Sequence, residues 1–391
     1  MTPFIAPGAT LGVMGGGQLG RMFVHAAQQM GYFTVVLDAD PASPAGLVAH
    51  HHIKADYLDE QGLAQLMQRS AAITTEFENV PAEALMTLGA HRPVAPGSEA
   101  VAVCQDRAAE KRHFARCDVA CAPHAVIENA AQLDAVPDHL LPGILKTTRL
   151  GYDGKGQVCV STRAELDAAW ESLGGVSTVL EKRLPLAFEV SVIVARSASG
   201  QVVHFPLQQN LHRDGILAVT QVPAPDLTPA VQQRAIDAAE RVAESLGYVG
   251  VLCVEFFVLH DGSLVANEMA PRPHNSGHYT VDACDLSQFD LQIRTMTGAP
   301  LVAPRLHSPA VMLNLLGDLW FAPDAGSQND GVREPDWAGV LALPGVHLHL
   351  YGKAMPRRAR KMGHLTVTAA SAVEARRVAL EAAAILGLPA F

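Results

Sequence analysis

Residues 251–269 read VLCVEFFVLHDGSLVANEM and carry two acids, Glu255 and Glu268, on either side of Asp261-Gly262. An Asp-Gly pair between apolar runs is a two-residue hairpin signal. Pairing His260 with Ser263 across it sets Glu255 directly opposite Glu268, with Cβ atoms about 4.5–5.5 Å apart. Two opposed carboxylates on an apolar hairpin repel each other and require a cation between them. Mg²⁺, with Mn²⁺ as a substitute, held by one or two carboxylates and by nucleotide phosphates is the expected occupant. The competing expectation is a shifted register, or a bulge, that leaves one glutamate exposed. In a regular strand Asn267 points to the opposite face and joins the metal only if the strand bends there.

Other residues carry chemistry more ambiguously. Gly15, Gly17 and Gly20 fit GxGxxG between a strand and a helix, and Asp38 ends the next strand. That outline suits a dinucleotide, another phosphorylated ligand or a purely structural tight turn. Lys146 ends an apolar strand, where it either reaches a phosphate or is solvated. Residues 151–157 hold three glycines in seven positions, either a phosphate-covering lid or an ordinary hairpin tip. His212 reads as a lone loop histidine. Residues 353–361 bring Lys353 and Arg360 together across a turn rich in positive charge, a clamp for a phosphate or a solvated turn. The His50-His51-His52 run lacks helical ligand spacing and is read as structural.

These residues sit on alternating elements. Strand signals at 11–15, 34–38 and 71–77 and helix signals at 18–30 and 60–69 give a βαβαβ order and a parallel sheet. Ligands of such sheets bind at strand C-terminal ends, which nominates Glu76. An unbroken helix is expected over 99–116, strands at 177–182, 189–196 and 201–205, a helix over 227–246, and strands at 346–352 and 364–368. Ser371 and Glu374 form a capping-box pattern for a last helix that Gly387 ends. Pro/Gly interruptions near 91–98 and 298–304 divide the chain into 1–98, 99–298 with a lid around 117–185, and 299–391.

Composition bounds the rest. The chain has 391 residues, 49% hydrophobic and 17% charged, ample for packed cores. A net charge of -10 argues against a nucleic-acid partner. The six cysteines show no CxxC or zinc spacing and read as reduced thiols. With no signal-peptide pattern and no uncharged apolar run of about 20 residues, no membrane partner and a cytoplasmic location are expected.

Together Lys146, the Gly151-Tyr152-Asp153-Gly154-Lys155-Gly156-Gln157 loop, Glu181-Lys182, the PRPHNSGH run at 271–278 and the RKMGH run at 360–364 resemble the ATP-grasp superfamily. The last two runs are similar to one family within it, the N5-carboxyaminoimidazole ribonucleotide synthases. The resemblance implies an α/β and α+β multidomain fold: a biotin-carboxylase-like N-terminal domain, a central ATP-grasp domain and a small β-rich C-terminal domain. It implies carboxylation of 5-aminoimidazole ribonucleotide with ATP and bicarbonate through carboxyphosphate, a step of purine biosynthesis, by a homodimer.

The same resemblance assigns residues. ATP falls to Arg107, Lys146, the 151–157 loop, an adenine hinge at Glu181, Lys182, Arg183 and Leu184, a ribose acceptor at Glu189, and His212, Asn267 and Glu268. The ribonucleotide falls to Gln18, Leu19, Glu76, Tyr152, Asp153, Lys155, His274, Lys353 and Arg360. Catalysis falls to Asp153, facing the substrate amine, and to Arg272, His274 and Asn275; the metal falls to Glu255 and Glu268. Many members have two glycines before the tyrosine where this chain has Leu150-Gly151, which alters the lid's hinge. The alternatives are a formate-dependent glycinamide ribonucleotide transformylase, also ATP-grasp, and a non-catalytic NAD-binding module.

Overall fold

A computed structural model describes residues 4–151, 156–321 and 332–391. Tyr152, Asp153, Gly154 and Lys155 lie outside the described residues.

The N-terminal sheet is parallel in the order β3-β2-β1-β4: β1 (Thr10–Met14), β2 (Phe33–Leu37), β3 (His51–Ile53) and β4 (Ala72–Thr75). The short β3 comes from the histidine run. Two of the histidines are tied to backbone: His52 Nε2, within β3, meets Asp38 O at 3.0 Å, and His50 Nδ1, just before it, accepts from Thr34 N–H at 3.2 Å.

The helix expected over 99–116 is two helices, Ser98–Cys104 and Arg107–Arg116. Gln105 turns its amide to the carbonyls of Glu78 and Val80, both at 2.7 Å. Asp106 then caps the second helix by accepting Ala109 N–H at 2.9 Å, and Arg107 N–H goes to Thr148 O. A side-chain acceptor at the cap competes with helix continuation, and here it wins.

A second sheet is antiparallel in the order β5-β8-β6-β7: β5 (His124–Ile127), β6 (Gly143–Thr147), β7 (Gln157–Val160) and β8 (Thr178–Lys182). It stands where the lid is expected. Leu150 has φ 61°, a left-handed conformation that glycine adopts without strain, and its side chain is exposed.

The largest sheet has nine strands: β9 (Leu186–Arg196), β10 (Val202–His204), β11 (Gln208–Arg213), β12 (Ile216–Val222), β13 (Gly250–Leu259), β14 (Leu264–Ala270), β15 (Ala310–Leu316), β16 (Val346–Leu350) and β17 (Lys361–Thr368). The order is β14-β13-β9-β11-β12-β15-β17-β16, with β10 beside β9. The sheet therefore runs unbroken across the expected 298/299 boundary, because β12 pairs with β15.

Period two sorts β9 and β13. Val190, Val192, Val194, Leu252, Val254 and Phe256 pack with the helix Pro229–Ser245. Glu255 and Ser191 alternate with them and so face the other way. The last helix, Ala372–Leu386, covers the C-terminal strands. Only half the expected capping box forms there: Ser371 Oγ accepts Glu374 N–H at 3.2 Å, while the Glu374 carboxylate pairs with Arg377 at 2.9 Å. No helix among the described residues is long and apolar enough to cross a membrane.

Candidate active site

Glu255 and Glu268 are cross-strand partners, but not through the expected turn. Leu259, rather than His260, pairs with Ser263 (Leu259 N to Ser263 O 2.9 Å), so the loop has three residues and closes on Gly262 at φ 80°. That register alone would set Asn267 opposite Glu255. A bulge after Phe256–Ala266 takes up one residue and restores Glu255 opposite Glu268. Ala266 and Met269 both belong to the apolar face packed with Pro229–Ser245. Asn267 and Glu268 fall between them and leave on the Glu255 side, so Asn267 does not point away. Its Oδ1 is buried with no protein partner, while its carbonyl accepts Lys111 Nζ at 2.7 Å.

The neighbouring strands extend this acidic face. Glu255 pairs with Ser191 of β9, and Glu189 lies two residues along. His212 is not on a loop: it lies on β11 beside a second bulge, in which Ala218 of β12 is the extra residue, and its Nδ1 is 2.6 Å from Glu189 Oε2. Burial works against the imidazolium, but Glu189 and Glu255 outweigh it and push His212 up to about 9. Burial, with Glu268 and Glu189 nearby, holds Glu255 above the usual carboxylate range. Glu268 sits below that range despite burial, because Arg107 Nη1 lies 3.0 Å from its Oε2 and Lys146 is close. Three carboxylates and a buried amide oxygen without a partner among the described residues form a donor set that fits a hard divalent cation.

Cations surround this face on one side. Lys146 Nζ lies 3.0 Å from Glu181 Oε2, and Lys111 Nζ lies 3.2 Å from Glu181 Oε1. Burial pushes the Lys146 ammonium down, against the pull of Glu181. Burial opposes the Glu181 carboxylate as well, yet Lys146 and Lys111 hold it at about 2. The Glu181 side chain is thus turned inward, so only its main-chain groups are left to serve the hinge expected at 181–184. Lys182 N–H and Arg183 N–H already go to Pro123 O (2.8 Å) and Pro142 O (2.9 Å). Leu184 N–H has no acceptor among the described residues. Gln157 lies opposite Lys146 on β7, and Gly156 O accepts Thr147 N–H at 2.8 Å, so the 151–157 loop springs from beside Lys146.

On the other side stands the 271–278 segment. His274 Nε2 is 3.1 Å from Glu255 Oε1, and Nδ1 is 2.9 Å from Ser276 Oγ. Burial drives its pKa well down, which keeps the imidazole neutral. Arg272 Nε pairs with Glu78 Oε2, joining this segment to the end of β4. Asn275 is buried, and neither side-chain polar atom has a partner among the described residues.

The glycine turn is not a phosphate cradle. Gly17 N–H and Gly20 N–H both go to the Glu76 carboxylate at 2.7 Å, and Gly16 N–H goes to Asp38 Oδ2 at 2.7 Å. A Cβ on Gly17 would stand 2.4 Å from Glu76 Oε1. The protein's own acids fill the anion position at this helix N-terminus. Leu19, expected to line the pocket, is 8% exposed and packs with Leu11, Phe23 and Val24. Gln18 does reach the site: Lys353 Nζ donates to Gln18 Oε1 and to Lys361 O, both at 2.5 Å. Arg360 Nη1 donates to Met355 O at 3.0 Å and stands near Arg357.

Sequence reasoning missed Lys111, Glu110, Glu78 and Gln288. Glu110 is 3% exposed and accepts Met269 N–H through Oε1 at 2.6 Å. A signal existed: Arg107, Glu110 and Lys111 share i, i+3, i+4 spacing, so one helix face carries three charges toward one partner.

Three family models match: a ribonucleotide synthetase preATP-grasp domain over residues 8–105, an ATP-grasp domain over 112–289, and a phosphoribosylaminoimidazole carboxylase C-terminal domain over 310–378. The chain is 40% identical to an N5-carboxyaminoimidazole ribonucleotide synthase of Bacillus subtilis (strain 168), over 93% of this chain and 92% of the relative. It is 43% identical to one of Brucella melitensis, over 93% and 97%. A crystal structure of an N5-carboxyaminoimidazole ribonucleotide synthetase with ADP superposes with TM-score 0.89 at 40% identity, covering 99% of each chain. An Aspergillus clavatus enzyme in complex with ADP and 5-aminoimidazole ribonucleotide superposes with TM-score 0.86 at 30% identity, covering 97% and 98%.

Proposed function

The chain belongs to the family of N5-carboxyaminoimidazole ribonucleotide synthases, ATP-grasp ligases that carboxylate 5-aminoimidazole ribonucleotide in purine biosynthesis, and from that premise we propose how its residues divide the work. The observation that carries the reading is the opposed Glu255–Glu268 pair, with Asn267 bulged in beside it, between a cationic wall and the His274 segment.

ATP lies over this face. Arg107 and Lys146 meet its phosphates as fixed charges, Glu189 and His212 meet the ribose, and main-chain groups at 181–184 read the adenine edge. The loop 151–157 closes over the phosphates and keeps water from a labile acyl phosphate. Glu255 and Glu268, with Asn267, would hold Mg²⁺, which when bound neutralises charge on the transferring phosphoryl group. Arg272 and Asn275 hold bicarbonate. His274, a neutral imidazole whose Nδ1 accepts Ser276 N–H and whose Nε2–H faces Glu255, orients that carboxylate, and bicarbonate keeps its proton as one of its oxygens takes the γ-phosphoryl, giving carboxyphosphate and ADP. The exocyclic amine of the ribonucleotide then attacks the carboxyl carbon or the CO₂ it releases, phosphate leaves, and Asp153 takes the amine proton. Gln18, Lys353 and Arg360 hold the ribonucleotide, with Glu76 shaping the pocket behind the glycine turn.

We take 1–98, 99–298 and 299–391 as the functional units of a cytoplasmic homodimer, which sedimentation of the purified protein tests. For the site, the test is ADP release with ATP, bicarbonate and 5-aminoimidazole ribonucleotide. Glu268→Gln is expected to lower kcat by about 10²–10³-fold, the loss of one charge-stabilising group, with an unchanged melting temperature. Wild-type turnover in that variant sinks the metal reading.

A further inference from the structure

The segment that places His274 is held by a buried side chain with no part in the chemistry. Gln288 opens the helix Gln288–Thr297 and is wholly buried. Its Oε1 accepts His274 N–H at 2.8 Å, and its Nε2 donates to His274 O at 2.9 Å. One amide therefore satisfies both main-chain groups of His274, and this fixes which end of the Gln288 amide is which. The same Nε2 lies 3.1 Å from His278 Nδ1. Since Nε2 can only donate, His278 Nδ1 must accept and its proton sits on Nε2.

His278 continues the contact into the C-terminal strands. Its ring lies 4.8 Å from that of His364. His364 Nδ1 in turn lies 3.0 Å from Tyr351 Oη, and the Tyr351 ring lies 5.5 Å from Lys353 Nζ. Four fully buried side chains thus join the strand pair that anchors Lys353 to the segment that aims His274 at Glu255.

We propose that Gln288 and His278 are positioning residues for the reaction, holding the His274 main chain so that its imidazole stays aimed at Glu255, with His364 and Tyr351 as their backing. The proposal rests on the reading of His274 given above. Neither residue touches substrate. Their loss acts on the rate at which bound ATP and bicarbonate react, and leaves nucleotide affinity, set across the Glu255 face at Arg107 and Lys146, alone.

The experiment compares bicarbonate-dependent ADP release by the full-length protein with that of Gln288→Leu, His278→Leu, His278→Asn and His274→Asn, with melting temperatures for each. The Asn side chain can accept the Gln288 bond from about the place of Nδ1. Gln288→Leu and His278→Leu are expected to lower kcat about 10–100-fold, one to two hydrogen bonds' worth of alignment, with KM for ATP changed less than about 2-fold. His278→Asn is expected to recover most of that loss. Wild-type kcat in folded His278→Leu beside a crippled His274→Asn overturns the positioning claim alone. Wild-type kcat in His274→Asn overturns the reading it rests on. A leucine variant that only melts earlier, or that His278→Asn fails to rescue, shows a packing role and refutes the proposal. If Gln288→Leu does not fold, the two His278 variants decide.

Discussion

Lys353 shows how little a residue's local sequence says about its neighbours. Its ammonium bridges Gln18, at the start of the first helix, and the carbonyl of Lys361, at the start of β17. The Lys353 ammonium also bears on the Glu76 carboxylate, and as a compact cation it suits a ribonucleotide phosphate. Removing a charge-assisted contact of this kind costs about 1.5–3 kcal/mol. Lys353→Ala is accordingly expected to raise KM for 5-aminoimidazole ribonucleotide about 10–100-fold and to leave KM for ATP unchanged. Steady-state titration of each substrate measures this, and an unmoved ribonucleotide KM would refute the clamp. Glu76 shows the reverse case. From sequence it is a free strand-end acid beside an empty glycine turn. In the fold it fills that turn with two 2.7 Å bonds, and burial holds its carboxyl above the usual range. A turn that reads as a ligand cradle was closed by a residue 56 positions from Gly20, and no local pattern announces such a partner.

The β13–β14 hairpin is the element where sequence and structure agree for a different reason. Alternation and the Asp-Gly turn located both strands and both glutamates. The turn took three residues instead of two, and the Asn267 bulge restored the pairing. Bulges are set by what the extra residue gains, here a carbonyl bond from buried Lys111 and an amide beside two acids, and Lys111 lies 156 positions away in the chain. A shorter separation hid the break at Gln105-Asp106, where side-chain bonds to the carbonyls of Glu78 and Val80, 27 and 25 positions away, outcompete helix continuation. β11, β12 and β15 escaped because their faces are mixed: Asn210, Thr220 and Asn314 are buried by hydrogen bonding, not by apolarity. By contrast the helix 60–69 and the capped last helix were legible, since caps and amphipathic spacing are local. The bulge makes its own prediction. Deleting Asn267 leaves Glu255 opposite Glu268 in a regular hairpin, while removing the amide oxygen and the Lys111 acceptor. The variant is expected to fold and to need about 10-fold more Mg²⁺ for half-maximal activity, one neutral ligand's worth of about 1.4 kcal/mol. An unchanged Mg²⁺ requirement would show that Asn267 is no ligand.

At the scale of the whole molecule, Glu181 is the point where the parts meet. It stands on β8 of the small antiparallel sheet, pairs with Lys146 of β6 and with Lys111 of the helix Arg107–Arg116, and Lys111 reaches on to the bulged β14. Three elements from different parts of the chain therefore share one buried carboxylate. Burial alone would favour its neutral form, but the two ammonium groups prevail and hold it at about 2, against an ordinary value of 4.5. A carboxyl depressed on folding binds its proton less readily when native than when unfolded. Its contribution is complete above about pH 4.5 and drains away as pH falls toward about 2. Losing one member of such a buried set costs about 3–5 kcal/mol, because the partners are left charged without compensation. Other carboxylates also titrate in this window, so the wild-type curve alone does not isolate Glu181. The difference between wild type and Glu181→Gln does. That variant is expected to melt well below wild type at pH 6 and to approach it as pH falls from 4.5 toward 2, where the wild-type carboxylate is protonated too. A gap between the two melting curves that stays constant over that range would mean that the ion pairs with Lys146 and Lys111 do not join these elements, and that packing alone holds the small sheet to the helix and the hairpin.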